Sequence, residues 1–178
     1  TLLPSAHAVD REFRVLQALH GRGVPVAAPL ALCEDEAVIG SVFYVMAFVD
    51  GRVHWDPSLP DLAPAQRAEI HDAVLRALAA LHTVDPAAVG LADYGKPGNY
   101  FARQLARWTE QSRASETRPI PAMDALAERL PRRCPADDGS VSLVHGDFRI
   151  DNMVFARDGA DVLAIVDWEL STLGHPLA

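Results

Sequence analysis

The sequence predicts an α+β fold: a small helix-plus-sheet part, a helical middle and a terminal β-rich piece. Three observations predict it. Apolar residues recur every three or four positions in the first twenty residues and again between 64 and 84. Short β-branched and aromatic runs, separated by acidic and glycine turns, fill residues 25–51. Two further apolar runs, NMVF and LAIV, flank ARDGAD towards the C-terminal end, and Asp-Gly between such runs signals a hairpin.

Taken in order, Ala6 to His20 (AHAVDREFRVLQALH) places Val9, Phe13, Leu16 and Leu19 at helical spacing, and Gly21 and Gly23 follow as stop signals. PVAAPLALCED and AVIGSVFYVMAFVDG then predict two or three strands of an antiparallel sheet, with Met46 in the core. From Pro64 to Val84, the stripe Ile70, Val74, Leu78 and Leu81 predicts a long helix. The loop LADYGKPGN leads to a helix from Tyr100 to Ser112, whose stripe of Phe101, Leu105 and Trp108 reads as core. Pro121 starts and Pro131 stops a shorter helix over Pro121–Leu130. His175, in GHP, reads as a turn residue. There is no internal repeat and no low-complexity tract.

Composition narrows the class. The 178 residues, 49% apolar and 22% charged, suffice for one large domain or two small lobes. Sixteen basic against twenty-four acidic residues give a net charge of −8, which argues against a general nucleic-acid binder, since neutralising a phosphate backbone needs clustered Lys and Arg. Cys33 and Cys134 have no paired spacing, so neither a disulfide framework nor a four-cysteine zinc site is expected. No apolar run approaches the ~20 residues of a membrane span and no signal-peptide pattern opens the chain. The expectation is a cytoplasmic protein without membrane contact. Oligomeric state is not legible. The start at Thr1 and the stop at Ala178, just after LGHP, suggest a fragment.

The chemistry concentrates in LVHGDFRIDN, residues 143–152. If Phe155 faces Ala164 in the predicted hairpin, Asn152 lies opposite Asp167 at its open end, with Cα atoms about 4.5–5.5 Å apart. Asp147 lies on the loop that leads into the same end. Such a carboxylate and amide, supplemented by phosphate oxygens and water, suit Mg²⁺, which takes hard oxygen ligands and only one or two from protein. Asp147 would then accept the proton of an attacking alcohol in phosphoryl transfer. Taken singly, Asn152 and Asp167 read as a solvated hairpin end; taken in order with Asp147, they read as a site.

HGDFRIDN resembles the kinase catalytic loop H-R-D-L-x-x-x-x-N, with Asp147 and Asn152 five residues apart as that pattern demands. VDWE stands where Asp-Phe-Gly would supply its metal-binding aspartate. Gly after the histidine and Trp-Glu after the aspartate resemble instead the aminoglycoside phosphotransferase-like small-molecule kinases, whose hallmark is H-G-D-x-x-x-x-N followed by I-D-W/F-E. Within that family, GKPGNYFARQLARWTEQSRASE, STLGHPLA and VPVAAPLALCEDEAVIGSVFYVMAFVDG are most similar to the kinase modules associated with acyl-CoA dehydrogenases. The resemblance covers nearly the whole chain.

It implies a protein-kinase-like two-lobe fold, truncated: residues 1–51 as a partial N-terminal nucleotide-binding lobe and hinge, and 52–178 as a C-terminal catalytic and substrate lobe, incomplete at its C-terminus. It also implies ATP- or GTP-dependent transfer of the γ-phosphoryl group to a hydroxyl of a small molecule, and the subfamily likeness leans towards a hydroxyacyl-CoA or related hydroxy acid. Asp147 would be the catalytic base, Asn152 and Asp167 the Mg²⁺ ligands. Arg149 would be a charge stabiliser or a surface arginine, and His145 a structural brace. Glu169 would lie against metal or loop backbone. Backbone groups at Ala47, Phe48 and Val49 would meet the adenine, or form a plain edge strand. Glu12 matches the glutamate that pairs with a nucleotide-binding lysine, or is an exposed helical glutamate.

The sequence departs from that pattern in two places. No glycine-rich loop precedes Glu12, and the one lysine, Lys96, sits in a loop that lacks the Walker A spacing. Loss of one charge-stabilising group raises a barrier by ~3 kcal/mol, so this chain alone is expected to be weak or inactive. Two other readings follow: a regulatory nucleotide-binding pseudokinase module, motivated by those missing parts, and a metallohydrolase built on His145, Asp147, Asp167 and His175. Arg103, Arg107 and Arg113 would meet an anionic substrate group or form a solvated helix face.

Overall fold

The computed structural model describes residues 9–96 and 98–178. The expected helix start at residues 6–8 lies outside them. Helix α1 (Val9–Leu19) buries Phe13, Val15, Leu16 and Leu19, close to the predicted stripe, and packs on both following strands. Strands β1 (Pro29–Cys33) and β2 (Phe43–Met46) pair antiparallel, with Leu32 opposite Tyr44 and Cys33 opposite Phe43. Residues 36–39 form a turn, seeded by the Asp35 side chain accepting the Ala37 amide at 2.9 Å, so two strands form and not three. Met46 is exposed, contrary to expectation, because a two-stranded sheet backed by α1 leaves its remaining surface open.

Helix α2 (Pro64–His82) begins with proline at its first turn and with the Gln66 side chain accepting the Ala63 amide at 3.0 Å. Its buried positions are Ile70, Ala73, Ala77 and Leu81, while Val74 and Leu78 flank them half-buried. The face is thus rotated towards the alanines. Small side chains there bring the helix close to the strands on which it packs.

Helices α3 (Tyr100–Ala114) and α4 (Pro121–Arg129) bury no residue. Trp108, expected in the core, is 55% exposed. Periodicity reports an apolar face, not what covers it. Here Leu105, Trp108, Ile120, Met123, Leu126 and Leu130 line a groove of about 330 Å³ between the two helices.

The C-terminal piece contains two strand pairs. β3 (Ser142–Val144) pairs antiparallel with β6 (Thr172–Gly174), a strand that the turn-like STLGHPLA did not announce. β4 (Met153–Phe155) and β5 (Val162–Ile165) form the predicted hairpin, with Met153 opposite Ile165, Val154 opposite Ala164 and a bulge before Phe155, which faces Val162. Relative to the expected register the open end is shifted by one, with Val154 in place of Phe155 opposite Ala164, and Phe155 beyond the bulge is shifted by two. A single buried cluster joins Leu16 and Leu19 of α1, Ile70 and Leu81 of α2, Leu143, Met153, Phe155 and Ile165 of the strands, and Trp168. Each such large side chain stabilises the fold by about 1.5–3 kcal/mol relative to exposure.

The linker after β2 is stitched to the hairpin. Arg52 and Phe155 exchange backbone hydrogen bonds of 2.8 Å in both directions, Arg157 pairs with Asp50 at 2.5 Å, and Arg52 Nη2 donates to the Gly159 carbonyl at 2.8 Å. Gly51 permits this approach: a Cβ there would sit 2.4 Å from the Phe155 carbonyl oxygen. Among the described residues no helix is long and apolar enough to cross a membrane.

Candidate active site

The loop 145–152 leaves β3 with a buried histidine and a sharp turn. Gly146 has φ +89°, and a Cβ on it would lie 2.4 Å from the Leu170 carbonyl oxygen. Both conditions demand glycine at this position. Ile150–Asn152 then forms a single 3₁₀ turn, anchored by buried Ile150. It swings the Asn152 amide back, so that Nδ2 donates to the Asp147 carbonyl at 3.0 Å and to Asp147 Oδ2 at 3.2 Å. The five-residue spacing is thereby closed into a direct contact.

His145, 2% exposed, braces both sides of the site. Its Nδ1 lies 3.3 Å from the Asp147 amide, which can only donate, so Nδ1 is the acceptor. Nε2 therefore holds the proton and gives it to the Val166 carbonyl at 3.0 Å. Trp168 packs on the ring at 4.6 Å between centroids. Burial holds the imidazole below the ordinary 6.5, against opposing pulls from the Val166 carbonyl, Asp167 and Asp147.

The unfolded ring takes up protons near pH 6.5 that the folded ring resists, so this contribution is complete above 6.5 and is lost as pH falls below it. His54 and His82, also held low by burial, act in the same direction. The thermal midpoint should fall on acidification through that range, and His145→Gln should make the fall shallower. An unchanged slope would remove His145 as a source.

Asp167 follows β5 with φ +65°, a left-handed conformation rare for a residue other than glycine. With the register shifted by one, Asn152 faces Val166, whose amide donates to the Asn152 carbonyl at 3.0 Å, and Asp167 stands one residue beyond the last pair. The positive φ redirects the chain there, and the next turn is pinned: Trp168 Nε1 donates to the Ile165 carbonyl at 2.9 Å, and the Ser171 amide to the Trp168 carbonyl at 3.0 Å. Asp147 and Asp167 both favour the charged imidazole of His145, opposing the effect of its burial.

The oxygens present fit a Mg²⁺ ion. Asn152 commits Nδ2 to Asp147, which leaves Oδ1 as its remaining oxygen donor, and Asp167 is exposed. Among the described residues no three His, Cys, Asp or Glu side chains form a metal cluster. A donor set of one amide and one carboxylate is what an ion completed by phosphate oxygens and water requires.

The remaining predicted residues divide. Glu12, on α1, accepts a hydrogen bond from the Tyr44 hydroxyl at 3.0 Å. Tyr44 also senses Asp167: its pKa is pushed strongly upward by burial first, then by Glu12 and then by Asp167. The Tyr44 hydroxyl thus ties β2 to Glu12, a contact missed in the sequence because FYVM shows only strand propensity. The Ala47 amide already donates to the Ala28 carbonyl at 2.8 Å, whereas Phe48 is 90% exposed and Val49 half-buried in the extended linker. Arg149 is held by Asp151 through two hydrogen bonds, of 3.0 and 2.5 Å. Glu169 is half-buried in the turn after Asp167.

His175 does not join the site. It pairs with Asp138 at 3.3 Å, and since Ser142 faces Gly174, His175 and His145 lie at opposite ends of the β3–β6 pair. Four residues of strand, roughly 13 Å, separate those ends. No single metal spans them, which removes the basis of the hydrolase reading.

The model of the phosphotransferase enzyme family (APH) matches residues 3–178. Acyl-CoA dehydrogenase family member 10 of Mus musculus is 51% identical over 178 residues, covering 100% of this chain and 17% of the relative. A crystal structure from Ralstonia eutropha, assigned to the aminoglycoside phosphotransferases, superposes with a TM-score of 0.90 at 57% identity, over 98% of this chain and 53% of that one. The streptomycin–ATP–APH(2″)-IIa ternary complex shares the fold, with a TM-score of 0.65 at 16% identity over 93% of this chain and 56% of that one. The chain thus spans about half the length of these solved structures and about a sixth of the mouse relative.

Proposed function

Since the chain belongs to the phosphotransferase enzyme family, we propose that the protein containing it transfers the γ-phosphoryl group of ATP, or of GTP, to a hydroxyl of a small molecule. The observation that carries this reading is the contact of Asn152 with Asp147 beside the Asp167 turn. Asp147 receives the hydroxyl proton, and Asn152 and Asp167 hold Mg²⁺, which neutralises charge on the phosphates. Residues 1–51 form the nucleotide side, with Glu12 towards the phosphates and the backbone at Phe48 and Val49 towards the adenine. Residues 52–178 form the catalytic and substrate side. Arg149 reaches the phosphoryl group by exchanging Asp151 for it. The family fold is seen elsewhere with ATP and streptomycin bound together, which supports ATP as donor and a small-molecule acceptor.

For the acceptor we favour a hydroxyacyl-CoA or related hydroxy acid. The similarity to an acyl-CoA dehydrogenase family member supports this, as does the α3–α4 groove, whose apolar lining suits an acyl chain. Two unpaired cysteines fit a reducing, cytoplasmic setting.

The test is a panel of hydroxyacyl-CoA, hydroxy acid and amino-sugar alcohols offered to the full-length protein with Mg-ATP and Mg-GTP. Turnover of at least one alcohol with nucleoside diphosphate release is expected. Nucleotide binding without turnover of any acceptor would instead support a pseudokinase role.

A further inference from the structure

Arg11, next to Glu12 on α1, is used by none of the chemistry above, yet it reaches far across the chain. Its Nη2 donates to the Tyr94 carbonyl at 2.9 Å and to the Ser171 carbonyl at 3.3 Å, and its guanidinium lies 4.2 Å from the Tyr94 ring centroid. The Tyr94 hydroxyl answers from the other side: it lies 3.2 Å from the Arg11 carbonyl and 2.7 Å from Ser171 Oγ. Ser171 Oγ in turn donates to the Trp168 carbonyl at 2.5 Å. With that proton committed, the Tyr94 proton serves Ser171 Oγ or the Arg11 carbonyl. Tyr94 and Ser171 are 1% and 2% exposed, so the network is shielded from competing water.

The network ends on the turn Trp168–Ser171, directly after Asp167. That turn is gripped twice, by Gly146 of the catalytic loop against the Leu170 carbonyl and by Tyr94 and Arg11 against Ser171. The seat of α1, which carries Glu12, and the turn that presents Asp167 are therefore held by one set of hydrogen bonds over 160 residues of sequence.

We propose that Arg11, Tyr94 and Ser171 form a positioning clamp that couples the placement of Glu12 to that of Asp167, so that the two sides of the nucleotide site are set together. This rests on the phosphotransferase reading. No clamp residue need touch nucleotide. Its effect is to make the metal-dependent part of nucleotide affinity depend on how α1 is docked.

The test uses the full-length protein with Tyr94→Phe, which keeps the ring and the backbone carbonyl, and Arg11→Gln. Hydrogen exchange of the α1 amides is read without ligand, and ATP affinity with and without Mg²⁺. In both variants the α1 amides should exchange about tenfold faster, as expected for loss of one to two hydrogen bonds. Mg-ATP should bind several-fold more weakly, with metal-free ATP unchanged. A purely structural role would weaken both forms of ATP alike. Unchanged exchange overturns the clamp, and so does faster exchange with Mg-ATP affinity unmoved. If the parent protein binds no Mg-nucleotide, the functional reading itself fails, and the exchange data then describe only a structural contact.

Discussion

Asp147→Asn in the full-length protein is expected to lower kcat by about 10²–10⁴-fold, the range a positioned proton acceptor contributes. The substitution keeps the shape of the side chain and an oxygen to accept from Asn152 Nδ2, which now bonds Asp147 Oδ2 at 3.2 Å and its carbonyl at 3.0 Å. The loop should therefore hold, and Mg-nucleotide affinity should change little. What is lost is the capacity to take the hydroxyl proton. Steady-state kinetics beside a nucleotide titration separates the two effects: a large fall in kcat at constant affinity is expected. An unchanged kcat would show that Asp147 is not the base.

Gly146→Ala should destabilise the protein by roughly 2–5 kcal/mol, combining the cost of a left-handed non-glycine residue with that of an overpacked contact. The φ of +89° supplies the first part, and the Leu170 carbonyl oxygen 2.4 Å from the added Cβ supplies the second. Because Leu170 belongs to the turn after Asp167, relief of the clash must push the catalytic loop and that turn apart, and activity should fall with stability. Gly159→Ala provides the comparison: its φ is +110°, yet nothing lies within 4 Å of the new Cβ. Denaturant unfolding should show Gly146→Ala as clearly the more damaging. Equal losses would mean that backbone conformation alone accounts for both.

Much of the site was legible because its chemistry is local. Asp147 and Asn152 lie five residues apart in one loop, and a single 3₁₀ turn suffices to bring them together. The hairpin was legible from its turn, but its register was not. The pairing at the open end is offset by one from that expected and, across the bulge before Phe155, by two, local departures that strand periodicity cannot show. Asp167 stands one residue beyond the last pair with a left-handed φ, in place of the expected pairing with Asn152. The α3 stripe was misread for a related reason: an apolar face signals that something covers it, and α3 turns that face to a groove against α4.

By itself the sequence determined the α+β class, the main helices and the loop in which Asn152 meets Asp147, since propensity, spacing and side-chain chemistry act over a few residues. Tertiary structure alone decided which distant segments meet. β6 exists as a strand because β3 offers it an edge, and Tyr44 meets Glu12 because β2 packs on α1. Arg11 bonds a carbonyl 160 residues away because α1 docks against the turn after Asp167. Such contacts depend on the free energy of the assembled core, which no short window of sequence contains.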